Sequence, residues 1–129
     1  MRNIFTNYTH LVIIDFMKVT FATAASGRSY FEKFLQDLSA NDRAVVLAVF
    51  KDIQFHGLGA KGCDFRQIEG KLWEVKIRAP TGGYRFFYIL ISTGHLHVLH
   101  SYKKQGQKAP IKELELARKR LKEVLNHEK

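Results

Sequence analysis

Two blocks of sequence and the turn between them decide the fold of this chain: Lys71-Leu72-Trp73-Glu74-Val75-Lys76-Ile77-Arg78, then Ala79-Pro80-Thr81-Gly82-Gly83, then Tyr84-Arg85-Phe86-Phe87-Tyr88-Ile89-Leu90-Ile91. In the first block Trp73, Val75 and Ile77 alternate with Glu74, Lys76 and Arg78, the period of two that sends successive strand side chains to opposite faces. One face is therefore apolar and the other charged. The second block is almost continuously aromatic and aliphatic, as a central strand is. The Pro and paired Gly between them mark a turn, so the two blocks predict an antiparallel hairpin.

Downstream, Ser92-Thr93-Gly94 makes another turn and His95 to Tyr102 a further strand. Pro110 then opens a closing helix at its tolerated first-turn position, with Ile111, Leu114, Leu121 and Leu125 as the inward stripe. Glu113 and Glu115 near its start and Lys122 near its end suit the helix dipole. Upstream, Tyr30, Phe31, Phe34, Leu35 and Leu38 recur at helical spacing. Ser39, Asn41 and Asp42 offer cap-type side chains to a second helix, which buries Val46, Val49, Phe50 and Ile53. That helix should stop near His56, because Gly57 and Gly59 follow within a Gly-rich loop at 57–62.

Leu11 to Ala24 is rich in Val, Ile, Thr and Phe, and Val19, Phe21 and Thr23 alternate with Lys18, Thr20 and Ala22 as in a strand. Met17 begins a self-sufficient strand pattern, so residues 1–16 are treated as an N-terminal extension of uncertain structure and 17–129 as a single domain. The expected fold class is α+β: an antiparallel sheet covered on one face, with an N-terminal helical hairpin and a C-terminal helix.

The 129 residues, 46% of them hydrophobic, suffice for one packed core. Lys and Arg number 21 against 12 Asp and Glu, a formal charge of +9, which attracts polyanions such as nucleic acid. The excess is concentrated at 61–110, with nine basic residues against three acidic. Cys63 is the sole cysteine, which offers neither a disulfide nor a thiolate zinc site and suits a reducing compartment. Leu11–Ala25 is interrupted by Asp15 and Lys18 and falls short of the roughly 20 residues a bilayer requires. It lacks the pattern of a positively charged leader with a clean apolar run and a cleavage site, so no secretory signal is expected, and a cytoplasmic protein without a membrane partner is.

In order and spacing, Glu74-Val75-Lys76-Ile77-Arg78, Tyr84-Arg85-Phe86-Phe87-Tyr88, Ser101-Tyr102-Lys103-Lys104, Pro110 and Ala117-Arg118 resemble the RelE/ParE toxin superfamily, closest to its phage-derived HigB-like branch. The element order matches over about 18–125 and the motifs occupy about 71–118. The resemblance implies a RelE-like fold and the toxin of a type II toxin–antitoxin system: a ribosome-dependent mRNA endoribonuclease that inhibits translation. It also implies mRNA on the ribosome and a cognate antitoxin as partners, the latter expected to be a helix-turn-helix protein forming a hetero-oligomer with the toxin. Two alternatives stand beside it, a ParE-like inhibitor of DNA gyrase and a non-catalytic RNA-binding phage-derived protein.

Cutting RNA without a metal requires the 2′-hydroxyl to attack the adjacent phosphate, so cations must gather at the phosphorane and two protons must move. Lys76 and Arg78 share a strand face, and Arg85 begins the adjacent hairpin strand, so three cations can converge. Arg85 is the first choice for the phosphate clamp, since a guanidinium meets two phosphate oxygens at once; the competing role is a salt bridge with Glu74. Lys103, Lys104 and Lys108 follow without an intervening acid, fit to track phosphates or stabilise the leaving group, or else a solvated run. His100 and Tyr102 can transfer protons, though His100 can equally be structural and Tyr102 can stack on a base.

The expected catalytic set is Arg85, Lys104, Lys76, His100 and Tyr102, and the expected RNA-binding set Arg78, Lys103, Lys108 and Lys71. No residue is an unmistakable general base, a gap the ribosome can partly fill by orienting the message. His95, His97 and His100 suggest zinc, but His100 has the opposite strand parity and no neighbouring carboxylate or thiol joins them, so neither metal nor cofactor is expected.

Overall fold

The computed structural model describes residues 2–7, 10–106 and 110–127. Lys108 lies outside them. Strands β1 (Arg2–Asn7) and β2 (His10–Asp15) pair with each other in a two-stranded sheet. Then follow β3 (Lys18–Phe21), α1 (Tyr30–Gln36), α2 (Ala40–His56), β4 (Cys63–Glu69), β5 (Leu72–Ala79), β6 (Gly82–Ser92), β7 (His95–Lys103) and α3 (Ile111–His127). The main sheet has five strands in the order β3-β7-β6-β5-β4.

The β5–β6 hairpin closes at Ala79–Gly82, as the turn residues dictate, and its register sets Lys76 opposite Arg85. Both upstream helices start at a serine: Ser29 Oγ accepts from Glu32 N and Ser39 Oγ from Asp42 N. α2 ends at Gly57, whose φ of +59° a side-chain-bearing residue rarely adopts.

Several expectations need correction. The segment 63–69 is a strand, β4, pairing antiparallel with β5. Its sparse apolar residues and a register break between Gln67 and Glu69 hide the period of two. Leu11–Ala24 is not one strand: β2 ends at Asp15, and β3 joins the main sheet separately. β3 runs parallel to β7, so the sheet is mixed rather than antiparallel. Asp42 does not cap α2. It turns away from the helix axis to the β5–β6 turn. On α3, Ile111 is 71% exposed, and the inward stripe is Leu114, Ala117, Leu121 and Val124.

The sheet is also covered on both faces. Against one, α1 and α2 pack Phe31, Leu35, Val46, Phe50 and Ile53 onto Val75, Ile77, Tyr84, Phe86 and Val98. Phe50 meets Phe86 edge-on at 5.0 Å and Phe31 at 5.2 Å. Against the other face α3 packs onto Leu72, Phe87, Ile89 and Leu99. A buried aliphatic or aromatic side chain contributes about 1.5–3 kcal/mol, so each face carries a substantial share of the stability. The alternation in β5 places Lys76 and Arg78 on the α3 side, where the helix leaves part of the sheet open.

Candidate functional site

Register builds a row across four strands of the α3-side face. Asp64 on β4 stands opposite Lys76 on β5, Lys76 opposite Arg85 on β6, and Arg85 opposite Tyr102 on β7. At the end of the sheet beyond α3, a cleft of about 840 Å³ is lined by Asp64, Lys76, Arg78, Arg85 and Lys104. Its rim is the turn Pro80–Gly83. Lys104 reaches the cleft because its backbone N–H donates to Gly83 O at 2.9 Å, tying the end of β7 to the hairpin. Among the described residues, Lys76, Arg78 and Lys104 make no ion pair.

Arg85 is held differently. Its Nη1 lies 3.6 Å from Oε1 of Glu74, a carboxylate with only 3% of its side chain exposed. Glu74 also accepts from Arg66 Nη2 at 3.3 Å and from the Tyr102 hydroxyl at 3.4 Å. The salt bridge weighed from the sequence is thus present, but through one nitrogen only. Arg85 Nε is buried without a hydrogen-bond partner among the described residues. A guanidinium carries five donors, so this anchoring leaves capacity for a ligand oxygen in the cleft.

The rim is pinned from the opposite face. Asp42, fully buried, accepts from Thr81 N at 3.1 Å, from Thr81 Oγ1, and from the Tyr84 hydroxyl at 2.5 Å. The Thr81 hydroxyl, then Tyr84, hold the Asp42 carboxyl below the usual carboxylate range. Lys103 extends over this turn, its Nζ 5.8 Å from the centre of the Tyr84 ring. A Cβ at Gly82 would come within 2.7 Å of Lys103 Cε, so the glycine gives that side chain its path.

The remaining expected residues lie elsewhere. His100 borders a second, shallower hollow with Tyr102, Lys103 and Glu113. Its Nε2 is 3.1 Å from Glu113 Oε2 and its Nδ1 3.1 Å from Arg120 Nη1, so both ring nitrogens are engaged. Burial lowers its pKa, outweighing Glu113, which acts to raise it. Arg120 in turn donates to Leu99 O and stacks on Tyr30 at 3.5 Å, making His100 part of a joint between α3, β7 and α1. The Tyr102 hydroxyl is pushed up to about 12, first by burial and then by Glu74. Lys71 sits in the β4–β5 turn, and the five residue steps from it to Lys76 put it about 17 Å from the cleft.

The histidine trio also differs from expectation. A register shift between the pairs Phe87↔His100 and Tyr88↔Val98 makes a bulge at Leu99, which returns His100 to the face of His97. A carboxylate does stand near His100, from Glu113 on α3. His95 Nε2 and His97 Nδ1 both approach Thr20 Oγ1, at 2.7 and 2.6 Å. The described residues contain no His, Cys, Asp or Glu group fit to hold a metal ion.

Sequence reasoning missed Asp64, the buried role of Glu74 and the Asp42 clamp. The alternation of Cys63 and Phe65 with Asp64 and Arg66 was the available signal for the first. The others depend on contacts 28 and 42 residues apart.

The cationic end of a mixed sheet with helices packed on both faces defines the class of protein, a small α+β domain with a cleft lined by cations. The chain belongs to the phage-derived protein Gp49-like family (DUF891), whose model matches residues 33–122, and this family is associated with toxin–antitoxin systems. No curated protein matches the chain. The matched segment runs from α1 to the end of β7 and most of α3, so it contains every lining residue of the cleft. Among the described residues, no helix is long and apolar enough to cross a membrane.

Proposed function

We propose that this protein is the toxin of a type II toxin–antitoxin pair, of the HigB-like kind, and that it cleaves mRNA on the ribosome in the cytoplasm. The observation that carries the reading is the convergence of Lys76, Arg78, Arg85 and Lys104 on one cleft, three of them without an internal counter-ion among the described residues. Cations fixed before the substrate arrives stabilise a pentavalent phosphorane without reorganisation during the reaction. Arg85, oriented by Glu74, holds the scissile phosphate; Lys76 and Arg78 extend the cationic surface along the RNA backbone. Lys104 faces the leaving oxygen. Tyr102 and Lys103 flank the cleft, and His100 acts by holding α3 to β7.

A cognate antitoxin, expected to be a helix-turn-helix protein, neutralises the toxin, with acidic residues meeting the basic face. The test is brief induction with a transcript-end map. Growth arrest with new 5′ ends inside translated messages, both removed by Arg85→Ala at unchanged protein level, is the expected result. Arrest with intact messages and damaged DNA would replace this function with gyrase inhibition.

A further inference from the structure

The proton acceptor missing from the sequence has a candidate in the cleft itself. Of the cleft-lining side chains, Lys76, Arg78, Arg85 and Lys104 are cations, and only Asp64 and Cys63 can accept a proton. The Cys63 thiol is pushed up to about 11, chiefly by burial, and so holds its own proton at neutral pH. His100 and Tyr102 border the other hollow, with their polar atoms committed to Glu113, Arg120 and Glu74. Asp64 is exposed, makes no ion pair or side-chain hydrogen bond among the described residues, and occupies the outer place in the Asp64–Lys76–Arg85 row.

Two inter-strand spacings separate Asp64 from Arg85, about 10 Å between backbones. That separation leaves room between the two side chains for a phosphate at Arg85 and the adjoining ribose at Asp64, across the intervening Lys76. An ordinary cross-strand charge pair would bring the Asp64 carboxylate onto Lys76. No such pair forms within 4 Å, and the carboxylate stays available to a ligand.

We infer that Asp64 is the catalytic base of the cleft, taking the proton of the ribose 2′-hydroxyl that attacks the phosphate held by Arg85. This inference rests on the RNA-cleaving function proposed above. The 2′-O–H bond breaks with its proton passing to Asp64, and the 2′-oxygen forms a bond to phosphorus. The P–O5′ bond then breaks, its electron pair leaving on O5′, which takes a proton from Lys104. The products are a 2′,3′-cyclic phosphate and a 5′-hydroxyl end, and the two side chains exchange protons with water to reset. Atoms and charge balance without another reactant.

The experiment uses the full chain with ribosomes translating a defined message, measuring kcat and KM for the wild type, Asp64→Asn, Asp64→Glu and Arg85→Ala, with circular dichroism on each. Asp64→Asn is expected to retain its fold and keep KM within about threefold while losing kcat by roughly a hundredfold or more, the usual scale of a general base. Asp64→Glu recovers part of that loss, and wild-type fragments end in 2′,3′-cyclic phosphate. Should Asp64→Asn cleave within threefold of the wild-type kcat, or raise KM alone, Asp64 is not the base although the nuclease function stands. If the wild type yields no cleavage at any dose, the nuclease function itself fails and Asp64 with it.

Discussion

The α3-side face of the sheet has two halves built from the same strands by the same alternation, and they do opposite things. Under α3, Leu72, Phe87, Ile89 and Leu99 are all but inaccessible to solvent. Beyond the helix, the same face on β4, β5 and β6 presents Asp64, Lys76, Arg78 and Arg85 to an open cleft. A strand fixes which face a side chain joins; the position of α3 fixes whether that face becomes core or site. Glu74 marks the border, buried at the helix side while anchoring the cation on the other.

The sharpest way to break this contrast is Arg85→Ala. Cleavage should fall by roughly a hundred- to a thousandfold, as for loss of one preorganised donor to a transition state, while stability falls by about 2 kcal/mol, the cost of breaking the pair with buried Glu74. Quantified fragment yield against melting temperature checks it; a large fall in stability instead would make Arg85 a structural residue.

On the covered half the signs reverse. Leu99→Ala should cost about 3 kcal/mol in urea unfolding by opening a cavity under α3, while the folded fraction keeps its cleavage rate within about twofold. Equal losses of stability and activity would show that the halves are not separable.

At the border, Glu74→Gln should affect both. The amide keeps an acceptor for Tyr102 but leaves Arg85 without its counter-charge, at a cost of about 2 kcal/mol and a roughly tenfold lower rate from a less well held guanidinium. A rate unchanged by this substitution would mean that Glu74 does not orient Arg85.

His100 supplies a pH dependence confined to the covered half. Burial lowers its folded-state pKa, so the unfolded chain binds the extra proton first, and stability is full above the unfolded value and declines as pH falls through and below it. Melting temperature should fall between about pH 7 and about pH 5, and His100→Gln should flatten that slope. An unaltered slope would assign the acid sensitivity to other groups.

The smallest effect is expected on the opposite face. Tyr88 is fully buried and its hydroxyl has no partner among the described residues, so Tyr88→Phe should leave stability unchanged or raise it by up to about 1 kcal/mol. A loss would reveal a hydrogen bond made by that hydroxyl.

Much of the fold is legible locally. The alternation of β5, the Pro80–Gly83 turn, the helical spacing of Tyr30–Leu38 and the glycine stop after His56 are short-range signals, and each element forms where they place it. β4 escaped because its alternation is short and broken by a bulge, and the parallel placement of β3 because neighbouring strands there lie 77 residues apart. The site divides in the same way. Lys76, Arg78 and Arg85 come together through one hairpin, whose register follows from its own turn. Lys71 and His100 went elsewhere because closeness in sequence does not survive a strand's length or a bulge.

What the sequence by itself determined is the shared face of Lys76 and Arg78 and the place of Arg85 beside them, because side-chain alternation and turn chemistry act over a few residues. Only the tertiary structure decided which part of that face stays open, which carboxylate is buried against Arg85 and which remains free. Those outcomes depend on where α3 and β4 pack, and burial, unlike strand parity, is a property of the whole fold.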